Sequence, residues 1–183
     1  VTGSAAEDLT VTASLVDSSH NNKRAGLIKT GAGTFLLTDG PHTYSGATIV
    51  SNGTLLVSGG MSNSAVTVIS GAAFGTATTT VSRVASLTLN EGAKLVWKYD
   101  GNAKTAGRIV VTGTLTLPSA AALDVSGTGF LYTKQVLFSA GSVIGSTDLS
   151  GWTITGAPHG SSLTLVGKQV LLQTNRGTII SIH

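Results

Sequence analysis

A short phrase recurs along this chain at a nearly fixed interval, and that recurrence restricts the possible folds more than any other feature. Gly33-Thr34-Phe35-Leu36-Leu37, Gly53-Thr54-Leu55-Leu56-Val57 and Gly113-Thr114-Leu115-Thr116-Leu117 share the order Gly-Thr-apolar-x-apolar. Gly71-Ala72-Ala73-Phe74 and Gly92-Ala93-Lys94-Leu95 carry a variant of it. Counted on the first large apolar residue, the anchors fall at 35, 55, 74, 95 and 115, in steps of 20, 19, 21 and 20. Fainter echoes follow at Val136, Ile154 and Leu171, with steps of 21, 18 and 17. A second series, Ile49, Val66, Leu87, Ile109, Leu123, Val143, Leu163 and Ile179, lies between the anchors. Each unit of about 20 residues therefore holds at least two strands and their corners, the signature of a solenoid.

The units read as strands because apolar residues recur at intervals of two in short runs. Leu95/Trp97, Ile109/Val111, Leu123/Val125 and Trp152/Ile154 each place two large side chains on one face. Gly, Ser, Asn and Thr interrupt the runs, and the three prolines, at 41, 118 and 158, stand beside Gly, Ser or Ala in apparent turns. A parallel β-helix needs such a period, because each turn must return the chain about 4.8 Å above its start to close the hydrogen-bond ladder. The expected fold is all-β, a parallel β-helix of about eight rungs of ~20 residues, standing about 38 Å tall at that spacing. An antiparallel sandwich is the competing architecture. It gives no reason for one phrase to recur, so the solenoid is preferred.

Composition narrows the function. Only 10% of residues are charged against a globular norm of about 25%, while 41% are hydrophobic, so the chain folds but has few groups for acid–base chemistry. The net charge is +3, yet the basic residues are scattered from Lys23 to Arg176 with no cluster beyond Lys23-Arg24, which argues against nucleic acid as a partner. Cysteine is absent, excluding disulfides and thiolate metal sites. No run approaches the roughly 18 apolar residues of a membrane helix, and Val1-Thr2-Gly3-Ser4 does not resemble a signal peptide, so the chain reads as an excised or processed piece.

The stretch from Gly26 through Leu27-Ile28-Lys29-Thr30-Gly31-Ala32-Gly33-Thr34-Phe35-Leu36-Leu37, with Tyr44-Ser45-Gly46-Ala47-Thr48-Ile49-Val50 and Gly53-Thr54-Leu55-Leu56-Val57, resembles a known repeat. It is similar to the autotransporter-associated β-strand repeat, also called the passenger-associated transport repeat. That phrase runs Leu-x-Lys-x-Gly-x-Gly-Thr-Leu-x-Leu, then Tyr-x-Gly-x-Thr-x-Val, then Gly-Thr-Leu-x-Val. The match is close over 26–60; residues 61–172 resemble the more degenerate coils that follow such repeats, and 1–25 and 173–183 are not covered. The resemblance implies a right-handed parallel β-helix in a secreted or surface-exposed bacterial protein, outer-membrane-associated through its parent, in which the repeat assists translocation and folding of a passenger. It implies no activity. A translocator barrel would normally follow, so the chain reads as a fragment or accessory domain.

A residue-by-residue inventory supports a non-enzymatic role. Glu7, Asp8, Asp17, Asp39, Glu91, Asp100, Asp124 and Asp148 mostly sit beside Gly, Ser or Asn, where turns account for them. Lys98, Asp100, Lys104 and Arg108 could line a groove, as in β-helical polysaccharide enzymes, but read better as one exposed loop. His20, His42, His159 and His183 lack partners at metal-ligand spacing. No catalytic residue, metal ligand or cofactor is expected, and a ligand-binding site is left open. The alternative role is a carbohydrate-binding accessory module for mucin-type glycans. Trp97, Trp152 and Tyr44 fall at core or repeat positions, which leaves Tyr99 and Tyr132 as its exposed rings.

The expected organisation is a cap or lead-in over 1–25, a β-helix over 26–172 and a strand or linker over 173–183. Partners would be the rest of the parent polypeptide and host or extracellular glycans and proteins, met as a monomer with no nucleic acid and no membrane span of its own.

Overall fold

The computed structural model describes residues 8–19, 23–38, 40, 42–130 and 133–174. Among them are sixteen strands and no helix, divided between two sheets of eight. The first sheet stacks β1 (Leu9–Val11), β3 (Thr34–Leu37), β5 (Thr54–Val57), β7 (Ala73–Thr76), β9 (Lys94–Asp100), β12 (Ala122–Thr128) and β14 (Thr153–Thr155). The second stacks β2 (Leu27–Lys29), β4 (Thr48–Val50), β6 (Met61–Val68), β8 (Val81–Leu89), β11 (Arg108–Leu117) and β13 (Lys134–Gly145). All these neighbours pair in parallel. Over β1 to β9 the chain alternates between the sheets strand by strand, so neighbours within a sheet are one turn apart, the order of a parallel β-solenoid.

Two inward columns form the core. In the first sheet Phe35, Leu55, Phe74, Leu95, Leu123 and Ile154 are successive register partners, with the exposed Leu9 beneath Phe35 at the end of the column. In the second the column runs Leu27, Thr48, Val66, Leu87, Leu115 and Val143. Leu37, Leu55, Val66, Phe74, Leu87 and Leu115 are fully buried in one apolar cluster. Burying each large apolar side chain contributes about 1.5–3 kcal/mol. Because a rung meets only its neighbours, the total is shared along the stack.

The anchors at 35, 55, 74 and 95 occupy one column, as their spacing predicts. Beyond 95 the register differs from expectation. Leu115 lies beside Leu87 and Val143 in the other sheet, and Leu123 takes the place above Leu95. The steps in the column lengthen from about 20 to 28 and then 31 residues. The causes are local: after β9 the chain folds back through β10 (Thr105–Ala106), antiparallel to β9, and β11 runs ten residues with a register shift between Val111 and Leu115, while the last step contains the twelve residues of β13. The third Gly-Thr phrase falls inside this bulged strand instead of opening a rung.

The second series needs similar correction. Ile49 pairs with Thr67 and points away from the core, while Thr48, fully buried, faces inward beside Val66. Ile109 aligns with Ser82 and Phe138. Val136 and Leu171 face each other across an antiparallel pair, and Leu163 pairs with Leu172 in a terminal hairpin. That hairpin, β15 (Ser162–Val166) and β16 (Gln169–Gln173), lies antiparallel on β13 and turns at Gly167, φ 58°. Ile179 lies outside the described residues.

Carboxylates tie segments to the coil. Asp17 accepts hydrogen bonds from the N–H groups of Ala25 (2.8 Å) and Ser45 (3.0 Å) and from Ser45 Oγ (2.6 Å). Glu91 accepts from Ser119 N–H (2.7 Å), Ser119 Oγ (2.8 Å) and Ala120 N–H (2.9 Å), which fastens one corner to the next.

Candidate functional site

The repeat segment is the densest concentration of polar side chains inside the coil. Lys29 is buried at the end of β2, and its ammonium donates to the carbonyls of Thr30 (3.1 Å), Gly31 (2.7 Å) and Asn52 (2.9 Å). Three acceptors satisfy its three donors. Two belong to its own corner and one to the corner above, so the lysine clamps adjacent rungs. Burial pulls its pKa below the usual lysine value, with the charge of Asp8 opposing. The corner above turns at Gly53, φ 67°, where a Cβ would collide with the carbonyls of Gly31 and Gly33 and with the lysine head.

Tyr44, in the segment leading into β4, is fully buried. Its hydroxyl meets Thr48 Oγ1 at 2.5 Å and Met61 Sδ at 3.1 Å; Thr48 meets Ser64 Oγ at 2.8 Å, which donates to Gly46 O at 2.8 Å. Burial raises the phenol's pKa, and the hydrogen bonds to Thr48 and Ser64 pull the other way. Lys29, Tyr44 and Thr48, three polar residues of the phrase, are thus engaged by a corner or an inner column.

The other candidates are dispersed. Asp8 accepts from Thr34 N–H at 2.7 Å, and Asp148 from Ser150 N–H at 2.9 Å. Asp100 accepts from the N–H groups of Asn102 (2.9 Å) and Ala103 (3.0 Å), and Asp124 from Thr155 Oγ1 at 3.3 Å. The hydrogen bonds to Ser45, Ser119 and Ser150 hold the Asp17, Glu91 and Asp148 carboxyls below their ordinary pKa values. Among the described residues no three His, Cys, Asp or Glu side chains come together as a metal site would require. Glu7, Asp39, His20 and His183 lie outside the described residues. His159 is exposed, whereas His42 is buried and accepts a hydrogen bond from Leu15 N–H at Nδ1 (3.1 Å); burial lowers its pKa.

Lys98 and Asp100 lie on β9, Lys104 is exposed in the excursion with φ 56°, and Arg108 opens β11, half-buried. They follow one another around a single excursion without forming a carboxylate pair.

The aromatic residues divide differently from the sequence reading. Trp97 and Trp152 are buried, their indole N–H groups donating to the carbonyls of Gly107 and Pro118. Tyr99, expected as an exposed ring, is only 4% exposed. It stacks between Trp97, at 5.7 Å, and Phe130, at 5.1 Å. It stands two residues after Trp97 on one strand, so the pleat that buries one ring buries the other. That alternation was visible in the sequence. Tyr132 lies outside the described residues.

These features define a parallel β-solenoid of stacked, glycine-cornered rungs. Residues 27–57, the segment built around Lys29 and Tyr44, match the passenger-associated-transport-repeat family, and the chain thus carries a repeat of the autotransporter-passenger type. No curated protein and no solved structure matches the chain.

Proposed function

We propose that this chain is a non-enzymatic structural segment of an autotransporter passenger, displayed at the surface of a bacterium or secreted from it, where the repeat aids translocation and folding and the coil spaces or displays adhesive parts of its parent. The observation that carries the reading is the clamp at Lys29. The matched phrase places a lysine, two glycines, a tyrosine and a threonine so that they tie successive rungs together, and all face the corner or core. A segment whose lysine, tyrosine and Thr48 join rung to rung is suited to guiding stepwise stacking of a chain. The carboxylates hold turns and rungs, which leaves the described clefts without a paired acid and base.

The test is to place Lys29→Met in the parent protein and measure its surface yield by protease accessibility on intact cells. A severalfold fall is expected. Unchanged yield, with folding of the isolated coil visibly impaired, would count against a role in translocation and folding. Hydrolysis or elimination of a polysaccharide by the purified chain, lost on replacing one carboxylate, would overturn the non-enzymatic part.

A further inference from the structure

Arg108 sits where the second sheet comes apart. Its own N–H donates to Thr80 O at 3.2 Å, and the preceding Gly107 donates to Lys98 O at 2.8 Å and accepts from the Trp97 indole, so the start of β11 is held from three sides. The ladder between β11 and β13 begins only at Ile109 and Phe138. Before that point Lys134, Gln135 and Val136 pair only on their other edge, with Gln173, Leu172 and Leu171 of the terminal hairpin. The divergence leaves a cleft of about 290 Å³ lined by Val81, Ala106, Arg108, Lys134, Gln135 and Val136.

Two cations and no carboxylate line this cleft. Arg108 Nε is shielded from solvent and has no hydrogen-bond partner among the described residues. Since no solvent reaches Nε, the terminal N–H groups of the guanidinium are the ones that can meet a ligand in the cleft. An arginine fork is matched to an oxyanion, and a lysine beside it adds charge. Gln135 contributes an amide anchored through Nε2 on Thr133 Oγ1 at 2.8 Å, and Val81 and Val136 give apolar walls. The volume stands at the bottom of the range for small-molecule sites, about 300–1,000 Å³.

We propose that this cleft binds a small oxyanion, a carboxylate or sulfate carried on a group of about monosaccharide size, with the terminal N–H groups of Arg108 and the Lys134 ammonium as its donors. The site is separate from the repeat at 27–57 and does not rest on the passenger reading.

The test follows the Arg108 Nε–H resonance of the whole ¹⁵N-labelled chain during addition of sodium sulfate or sodium glucuronate at constant ionic strength, with glucose and sodium chloride as controls. A saturable shift with an oxyanion, with Kd about 1 mM, and none with glucose is expected. Tighter glucuronate assigns the site to a carboxylate, tighter sulfate to a sulfate ester. Lys134→Gln changes an exposed residue and is expected to weaken binding about tenfold, the loss of one charge-assisted hydrogen bond, with thermal unfolding unchanged. Arg108→Lys, read from the amides of Val81 and Gln135, is expected to abolish saturation. Shifts that stay linear with both anions, or saturation unaltered in both variants, would overturn the proposal.

Discussion

Lys29 illustrates how much one side chain can determine in a repeat. Replacing it with methionine keeps the stem and removes the ammonium, leaving the Thr30, Gly31 and Asn52 carbonyls without their donor. A loss of about 1–3 kcal/mol is expected, measured by urea unfolding. Titration gives a second check at this scale. Burial lowers the pKa of His42 below its ordinary 6.5, so the unfolded chain binds the proton more readily and stability fully present above pH 6.5 is lost as pH falls from there through the lower folded value. Asp17, Glu91 and Asp148 have lowered pKa values as well, so their share is present above about pH 4 and is lost on further acidification. Thermal melts from pH 8 to pH 3 are expected to fall in two stages, and His42→Gln to remove the first alone. Glu91→Gln is expected to lower the melting temperature at pH 7 and to leave it nearly unchanged near pH 3.

Corners and strands set the limits on substitution at the next scale. Gly53→Ala puts a Cβ against two carbonyls at a positive φ, and a loss of more than about 1 kcal/mol is expected in equilibrium unfolding. How far the sequence could be read also depends on the element. From 27 to 95 each rung is short, so the phrase Gly-Thr-apolar and the register it marks coincide, and Phe35, Leu55, Phe74 and Leu95 were legible as one column. After β9 the excursion through β10 adds residues that carry no periodic signal. Leu115 kept the phrase and lost the position. Likewise Ile49, the stronger β-former, points outward because the Thr48 hydroxyl is held inside by Tyr44 and Ser64, a preference that no hydrophobic pattern encodes. The Arg108 cleft was only partly legible: the sequence offered the arginine but not Lys134, which the departure of β13 towards the hairpin brings alongside.

At the scale of the whole molecule, stability should be distributed as it is in a one-dimensional stack, where inner rungs have two neighbours and outer strands one. Leu55→Ala, in the middle of its column and fully buried, is expected to cost about 2–5 kcal/mol, whereas Leu163→Ala in the partly covered terminal hairpin should cost visibly less. Amide hydrogen exchange on the same samples should find the slowest sites in β5, β7 and β9. Uniform protection from β1 to β16 would contradict this picture.

The turn between Leu95 and Leu123 is eight residues longer than the one between Phe35 and Leu55, yet the first sheet's column continues through it in register, and the second sheet takes up a bulge in β11. The first sheet's stacking is thus indifferent to what the chain does between its strands. Such a coil can accept insertions at one corner over evolutionary time, or by deliberate grafting of a foreign loop between Asp100 and Gly107, while its ladders keep their alignment.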